Sequence, residues 1–111
     1  MSNSFLLYFQ LILLLLQESG TLKLWKKKWC VLADFGLFFY KDNTEQNCIG
    51  SILLPSYSIN PCSNSDMNKK FAFKAEHENM KTFYFAAENQ GEMTKWLEAL
   101  RMASLVQRAP G

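Results

Sequence analysis

Downstream of residue 20 the chain runs in short apolar blocks separated by polar turn residues, the layout of antiparallel strands. Residues 25–33 read as one strand, Asp34-Phe35-Gly36 as a tight turn, and residues 37–41 as the returning arm of a hairpin. After a polar turn at residues 42–47, residues 48–53 make a third strand, which Pro55 stops. Residues 57–59 are a short strand, and residues 61–66 have loop composition. Two more strands follow at 70–75 and 81–86, joined through Glu76-His77-Glu78-Asn79. Each carries aromatics at alternate positions, Phe71 with Phe73 and Phe83 with Phe85.

Both ends break this rhythm. Asn89 is placed to cap a helix, with Glu92 three residues on for the reciprocal contact. Met93, Trp96, Leu97, Leu100 and Leu105 then follow helical spacing, leaving Lys95, Glu98 and Arg101 on the outer surface. The helix ends near Val106, before Pro110, and it has to pack against the strands, closing one end of a barrel with Trp96 as its anchor. At the amino end, residues 5–16 are apolar except for Gln10. This run falls short of the roughly 20 residues that span a bilayer as a helix. No lysine or arginine precedes it and Gln17-Glu18-Ser19 is a poor cleavage site, which argues against a secretory signal. A first β-strand is the favoured reading, although an uninterrupted apolar run has no period to separate strand from helix. Seven short strands, counting this one, imply a single domain of sandwich or barrel form.

Charge sharpens the picture. The formal net charge is only +2, but residues 20–41 hold five lysines against one aspartate, whereas residues 42–68 hold three carboxylates and no lysine or arginine. One end of the molecule is therefore basic without the long basic stripe of a nucleic-acid groove. In Lys23-Leu24-Trp25-Lys26-Lys27-Lys28-Trp29, four lysines are interleaved with two tryptophans and run into an apolar strand. A buried strand holds such cations at a fixed place, where ammonium groups can share the oxygens of a phosphate in charge-assisted hydrogen bonds.

Catalysis finds little support. His77 stands between Glu76 and Glu78 in a polar hairpin loop, the setting of a solvated histidine. No Ser-His-Asp order, glycine-rich phosphate loop or metal-ligand spacing occurs. Cys30, Cys48 and Cys62 are odd in number, widely spaced and far in sequence from the single histidine, so no zinc site and no cofactor is expected. Reduced thiols and a cytosolic setting follow, with Cys30 a small core residue.

The order Trp-Lys-Lys-Lys-Trp-x-Val-Leu, Leu37-Phe38-Phe39-Tyr40, Gly50-Ser51-Ile52-Leu53-Leu54-Pro55, Phe71-x-Phe73-Lys74-Ala75, Phe83-Tyr84-Phe85 and a helical Trp96 resembles a pleckstrin-homology (PH) domain. Within that superfamily it is most similar to the PEPP group of pleckstrin-homology domain-containing family A proteins, from about Glu18 to Arg108. The resemblance implies a mainly β fold, a seven-stranded bent barrel capped by one C-terminal helix. It also implies a non-catalytic module that binds phosphoinositides and targets a larger cytosolic protein to membranes, 3-phosphorylated lipids being suspected. Lys26 and Lys28 would then face the headgroup phosphates, and Lys23 would close over it from the loop between strands one and two. Lys27, of opposite parity, would meet other anionic lipids, and Lys41 at the end of strand three would make a second-rank contact. Leu22 and Leu24, on that loop, would either enter the membrane interface or cover the barrel end.

One departure weakens the site. The family's first strand reads Gly-Trp-Leu-x-Lys, and alignment back from Trp25 puts Leu13 at the tryptophan and Leu16 near the ligand lysine. The arginine usual at the end of the basic run is Lys28, a point charge in place of a bidentate fork. Weaker and less selective lipid binding is expected, and a protein-interaction PH domain with little lipid affinity is the alternative. A fragment anchored in the membrane by residues 5–16 is a third, less favoured reading. The expected organisation is an atypical apolar leader over 1–17, part of it serving as strand one, a PH domain over 18–108 and a tail of 109–111. An alternative start replacing the family's first strand would account for both the apolar run and the mismatch. Monomeric, peripheral association with cytoplasmic membranes is expected, with no nucleic-acid partner.

Overall fold

The computed structural model describes residues 8–19, 22–62 and 69–105; the tail at 109–111 and most of the expected loop after Pro61 lie outside them. Seven strands and one helix follow in order among the described residues. They are β1 (Tyr8–Ser19), β2 (Leu22–Ala33), β3 (Gly36–Tyr40), β4 (Cys48–Leu53), β5 (Ser58–Pro61), β6 (Ala72–His77), β7 (Met80–Ala86) and α1 (Gln90–Leu105). All pairings are antiparallel, in the sheet order β4-β3-β2-β1-β7-β6-β5. The sheet bends into the expected barrel shape without closing, so β4 and β5 are its two edges.

The apolar amino-terminal run becomes the strand that joins the two halves of this sheet. All twelve residues of β1 pair with β2, and Leu14 and Leu15 also pair with Ala86 and Phe85 of β7. Side chains alternate across a strand, so Leu13 and Leu15 point into the core with Cys30 and Leu32, while Ile12 on the outer face stays half exposed. The core continues through Leu37, Phe39, Ile52, Phe73 and Phe85. The Phe73 and Phe85 rings, on paired residues, stack at 5.3 Å, and Phe39 meets Phe85 at 6.0 Å.

α1 forms where its capping signal predicts. Asn89 Oδ1 accepts the backbone N–H of Glu92 at 2.8 Å, satisfying one of the donors that a helix start leaves open. Met93, Trp96, Leu97, Leu100 and Ala103 are buried against the sheet. Leu105, expected on this stripe, is exposed, because the helical period brings Ala103 and Ser104 inward instead. The buried Ser104 hydroxyl is satisfied by donating to the Leu100 carbonyl at 2.8 Å. Arg101, read as a surface residue, reaches across to β5, donating to the Ile59 carbonyl at 2.7 Å and to Asn60 Oδ1 at 3.3 Å. That contact ties the helix to one sheet edge.

Cys30 lies wholly inside the core, and burial pushes its thiol up to about 12 against weaker lowering by the Leu13 backbone and the Lys28 charge. A thiolate, the reactive form, is therefore suppressed at neutral pH. A thiol-labelling time course read by mass spectrometry should modify exposed Cys48 first and leave Cys30 unlabelled until the protein is unfolded. Labelling of Cys30 in the native state at the rate of Cys48 would contradict this packing.

Candidate functional site

The β1–β2 register sorts the lysines. Residues directly opposite on antiparallel strands project from the same face, and Leu13 pairs with Lys28, Leu15 with Lys26 and Gln17 with Leu24. Because Leu13 and Leu15 are core residues, Lys28 and Lys26 stand on the inner face, where the core gives way to solvent at one end of the sheet. Lys28 is half-buried and Lys26 exposed, as expected for long side chains that cover apolar surface while keeping their ammonium groups in water. Lys41 follows β3 directly after Tyr40, which pairs with Trp29, so it lies next in register to Lys28 and is exposed. Lys26 and Lys28 on β2 and Lys41 directly after β3 thus lie toward the same end of the sheet.

Lys23 and Lys27 fall elsewhere. Lys27 pairs with Leu14 on the outer face, as its parity predicts. Lys23 was expected in a loop, but β2 already begins at Leu22, and Lys23 lies within it opposite Glu18, on the face of Lys27. Leu22 and Leu24 are strand residues as well. Leu24 is exposed on the inner side, and the side chain of Leu22 lies outside the described residues. The position expected to lack the ligand lysine also moves. Leu16 pairs with Trp25 on the outer face, and the inner position opposite Lys26 is Leu15, only 7% exposed. Gln17, one step further out on the inner face and exposed, borders the end that carries Lys26 and Lys28 and was not singled out by its sequence. The signal for it is the pairing of Ser19 with Leu22, which fixes the register of β1 on β2.

The loop between β3 and β4 sets the electrostatics of this end. Asp42 accepts hydrogen bonds from the Thr44 hydroxyl at 2.6 Å and the Thr44 N–H at 3.0 Å, which hold its carboxyl below the ordinary value. It therefore stays ionised beside Lys41 at physiological pH. Glu45 accepts a hydrogen bond from Trp29 Nε1 at 2.9 Å, tying the loop toward the outer face of β2. No local signal predicts that contact, which spans sixteen residues. These two carboxylates temper the positive charge of the lysines at this end.

The Glu76-His77-Glu78 cluster is tied into the local structure. His77 closes β6 rather than sitting in a loop, its Nδ1 accepts the N–H of Asn79 at 3.1 Å, and its ring packs 5.1 Å from that of Tyr57. Glu76 is engaged by Lys74 at 3.6 Å. Among the described residues, no group of three His, Cys, Asp or Glu is arranged to hold a metal, and no helix is long and apolar enough to cross a membrane.

A bent seven-stranded antiparallel sheet with a C-terminal helix packed on it defines the class of fold. The sequence matches the PH domain family over residues 8–105, and the chain belongs to that family. It is 51% identical over 92 residues to pleckstrin homology domain-containing family A member 7 of Danio rerio, covering 82% of this chain and 8% of that protein. It is 48% identical over 95 residues to family A member 5 of Homo sapiens, covering 85% of this chain and again 8% of the relative. The chain thus corresponds to a small part of the curated relatives it matches. Its fold superimposes on the solution structure of the PH domain of human family A member 5 with a TM-score of 0.79 at 41% identity, covering 100% of this chain and 88% of that one. The C-terminal PH domain of pleckstrin, solved in complex with D-myo-Ins(1,2,3,5,6)P5, shares the fold at a TM-score of 0.75 and 21% identity, covering 93% of this chain and 99% of that one. PH domains are generally non-catalytic binding modules that often bind phosphoinositides and mediate membrane targeting.

Proposed function

We propose that this domain binds phosphoinositide headgroups at the Lys26–Lys28–Lys41 mouth and so brings a larger cytosolic protein to anionic membranes, with reduced affinity because β1 supplies no lysine. The observation that carries this reading is that three ammonium-bearing residues, two on β2 and one directly after β3, lie toward the same end of the sheet. A phosphomonoester, with nearly two charges and several acceptor oxygens, suits such a cluster. The inositol phosphate held by the pleckstrin PH domain supports the ligand class. Resemblance to the PEPP group favours 3-phosphorylated lipids. Lys23 and Lys27, on the opposite face, act on the surrounding anionic leaflet, where each lysine near the surface is worth about 1 kcal/mol. Exposed Leu24 adds apolar contact at the interface.

The test is flotation with phosphatidylcholine–phosphatidylserine vesicles prepared with and without phosphatidylinositol 3-phosphate. Lys26→Ala with Lys28→Ala should lower binding to the phosphoinositide vesicles by about tenfold or more. Lys23→Ala with Lys27→Ala should weaken binding to both vesicle types by similar factors. Unchanged binding by the Lys26/Lys28 variant overturns the headgroup site and leaves a protein-interaction domain as the better reading.

A further inference from the structure

β1 is shared unevenly by its neighbours. Among the described residues, only Leu14 and Leu15 pair with β7, while residues 8–13 pair with β2 alone. The cause lies in the chain after Ala86. Ala87 donates its N–H to the Phe71 carbonyl at 3.0 Å, Asn89 caps α1, and the backbone leaves the line of the sheet just where it would have continued alongside β1. Among the described residues, the backbone groups of residues 8–13 that point away from β2 therefore form a strand edge inside the sheet.

A groove of about 410 Å³ opens beside this edge on the outer face, away from the lysine mouth. Ile12, Leu14, Trp29 and Ala86 give it an apolar lining, and Glu88 and Glu92 stand where the chain turns into α1. Lys27 is its one cation. Neither Glu88 nor Glu92 makes an ion pair among the described residues. Natural sheets guard such edges with charges, prolines or bulges. The β5 edge of this sheet is held by Arg101, but residues 8–13 contain no charge and no proline, and their ladder with β2 runs without a register shift.

We propose that this edge receives an extended segment of a partner protein as an added strand, antiparallel to β1 and continuing the line of β7. Its amino-terminal end then lies by Glu88 and Glu92 and carries basic residues, and an aliphatic residue that follows covers Ile12. Strand addition of this kind draws affinity from main-chain hydrogen bonds and specificity from side-chain pockets. The two unpaired carboxylates decide the occupant. A second copy of this chain would offer its own residues 8–13, which carry no cation to meet them.

The probe is a fluorescein-labelled synthetic peptide, Arg-Arg-Ser-Val-Thr-Val-Thr-Val, titrated with the whole chain. Saturable binding is expected, with amide shifts in nitrogen-15 spectra concentrated at residues 8–14 and 86–92. Replacing Arg-Arg by Asp-Asp should weaken binding about tenfold or more, and Glu88→Lys with Glu92→Lys should reverse that preference. A peptide N-methylated at alternate residues should not bind, while flotation on phosphoinositide vesicles by the charge-reversed variant should persist, separating this edge from the lysine mouth. Absence of saturable binding at about 1 mM overturns the proposal. So do indifference to the charge swap or to N-methylation, and concentration-dependent self-association that shifts the same amides. Peptide binding that appears only after removal of residues 1–7 would mean that the chain's own amino terminus holds the edge, and would overturn it equally.

Discussion

Trp96→Ala is expected to remove a large share of the stability of this domain. The side chain is 0% exposed and belongs to the same core cluster as Phe73, Phe85 and Leu13, so its deletion leaves a cavity lined by both the sheet and the helix. Substitutions of this kind cost about 3–5 kcal/mol, against a total of about 5–15 kcal/mol for an ordinary domain. Urea unfolding followed by circular dichroism should show a midpoint lowered by roughly 2 M, given the usual slopes for small proteins. Leu105→Ala, at a position 73% exposed on the same helix, should move the midpoint little. Equal effects at the two positions would mean that α1 does not share in the cooperative core. Weakening of vesicle binding by Trp96→Ala in proportion to the unfolded fraction, and no further, would show that the helix supports the lysine mouth only through the fold.

The elements that could be recognised in the sequence are those whose signals are local. β4 and the Asn89 cap each rest on a few neighbouring residues, and each appears in the structure as read. The elements that escaped are set by distant partners. An unbroken leucine run has no parity of its own, and only pairing with β2 decides that Leu13 and Leu15 face the core while Leu14 and Leu16 do not. The same register decides which lysines act together, separating Lys26 and Lys28 from Lys23 and Lys27. Arg101 reaches Ile59, forty-two residues away, and Trp29 finds Glu45 across the β3–β4 loop, contacts that no periodicity announces. Family resemblance compensated for part of this by indicating the basic end. It could not place a ligand position on β1, because that strand departs from the pattern Gly-Trp-Leu-x-Lys.

That departure leads to the prediction with the largest expected gain of function. Leu15 faces Lys26 but is buried, so Leu15→Lys would force an ammonium group into the core and should destabilise the protein. Leu16, near the expected place of the family's ligand lysine, pairs with Trp25 on the outer face. Gln17 combines the inner face with exposure, pairs with Leu24 and stands diagonal to Lys26. Gln17→Lys therefore adds a further cation to the mouth without burying charge. Membrane attraction alone should contribute about 1 kcal/mol, or roughly fivefold in affinity. A direct charge-assisted hydrogen bond to phosphate contributes about 1.5–3 kcal/mol more when it forms. Flotation or surface plasmon resonance on vesicles with and without phosphatidylinositol 3-phosphate should show a gain specific to the phosphoinositide for Gln17→Lys, and a smaller, lipid-indifferent gain for Leu16→Lys. The opposite ranking would put the headgroup on the outer face beside Lys23 and Lys27. Equal gains on both vesicle types would reduce the mouth to a patch of general positive charge. The comparison thus tests directly whether β1 of this chain retains the place for a ligand lysine while lacking the residue itself.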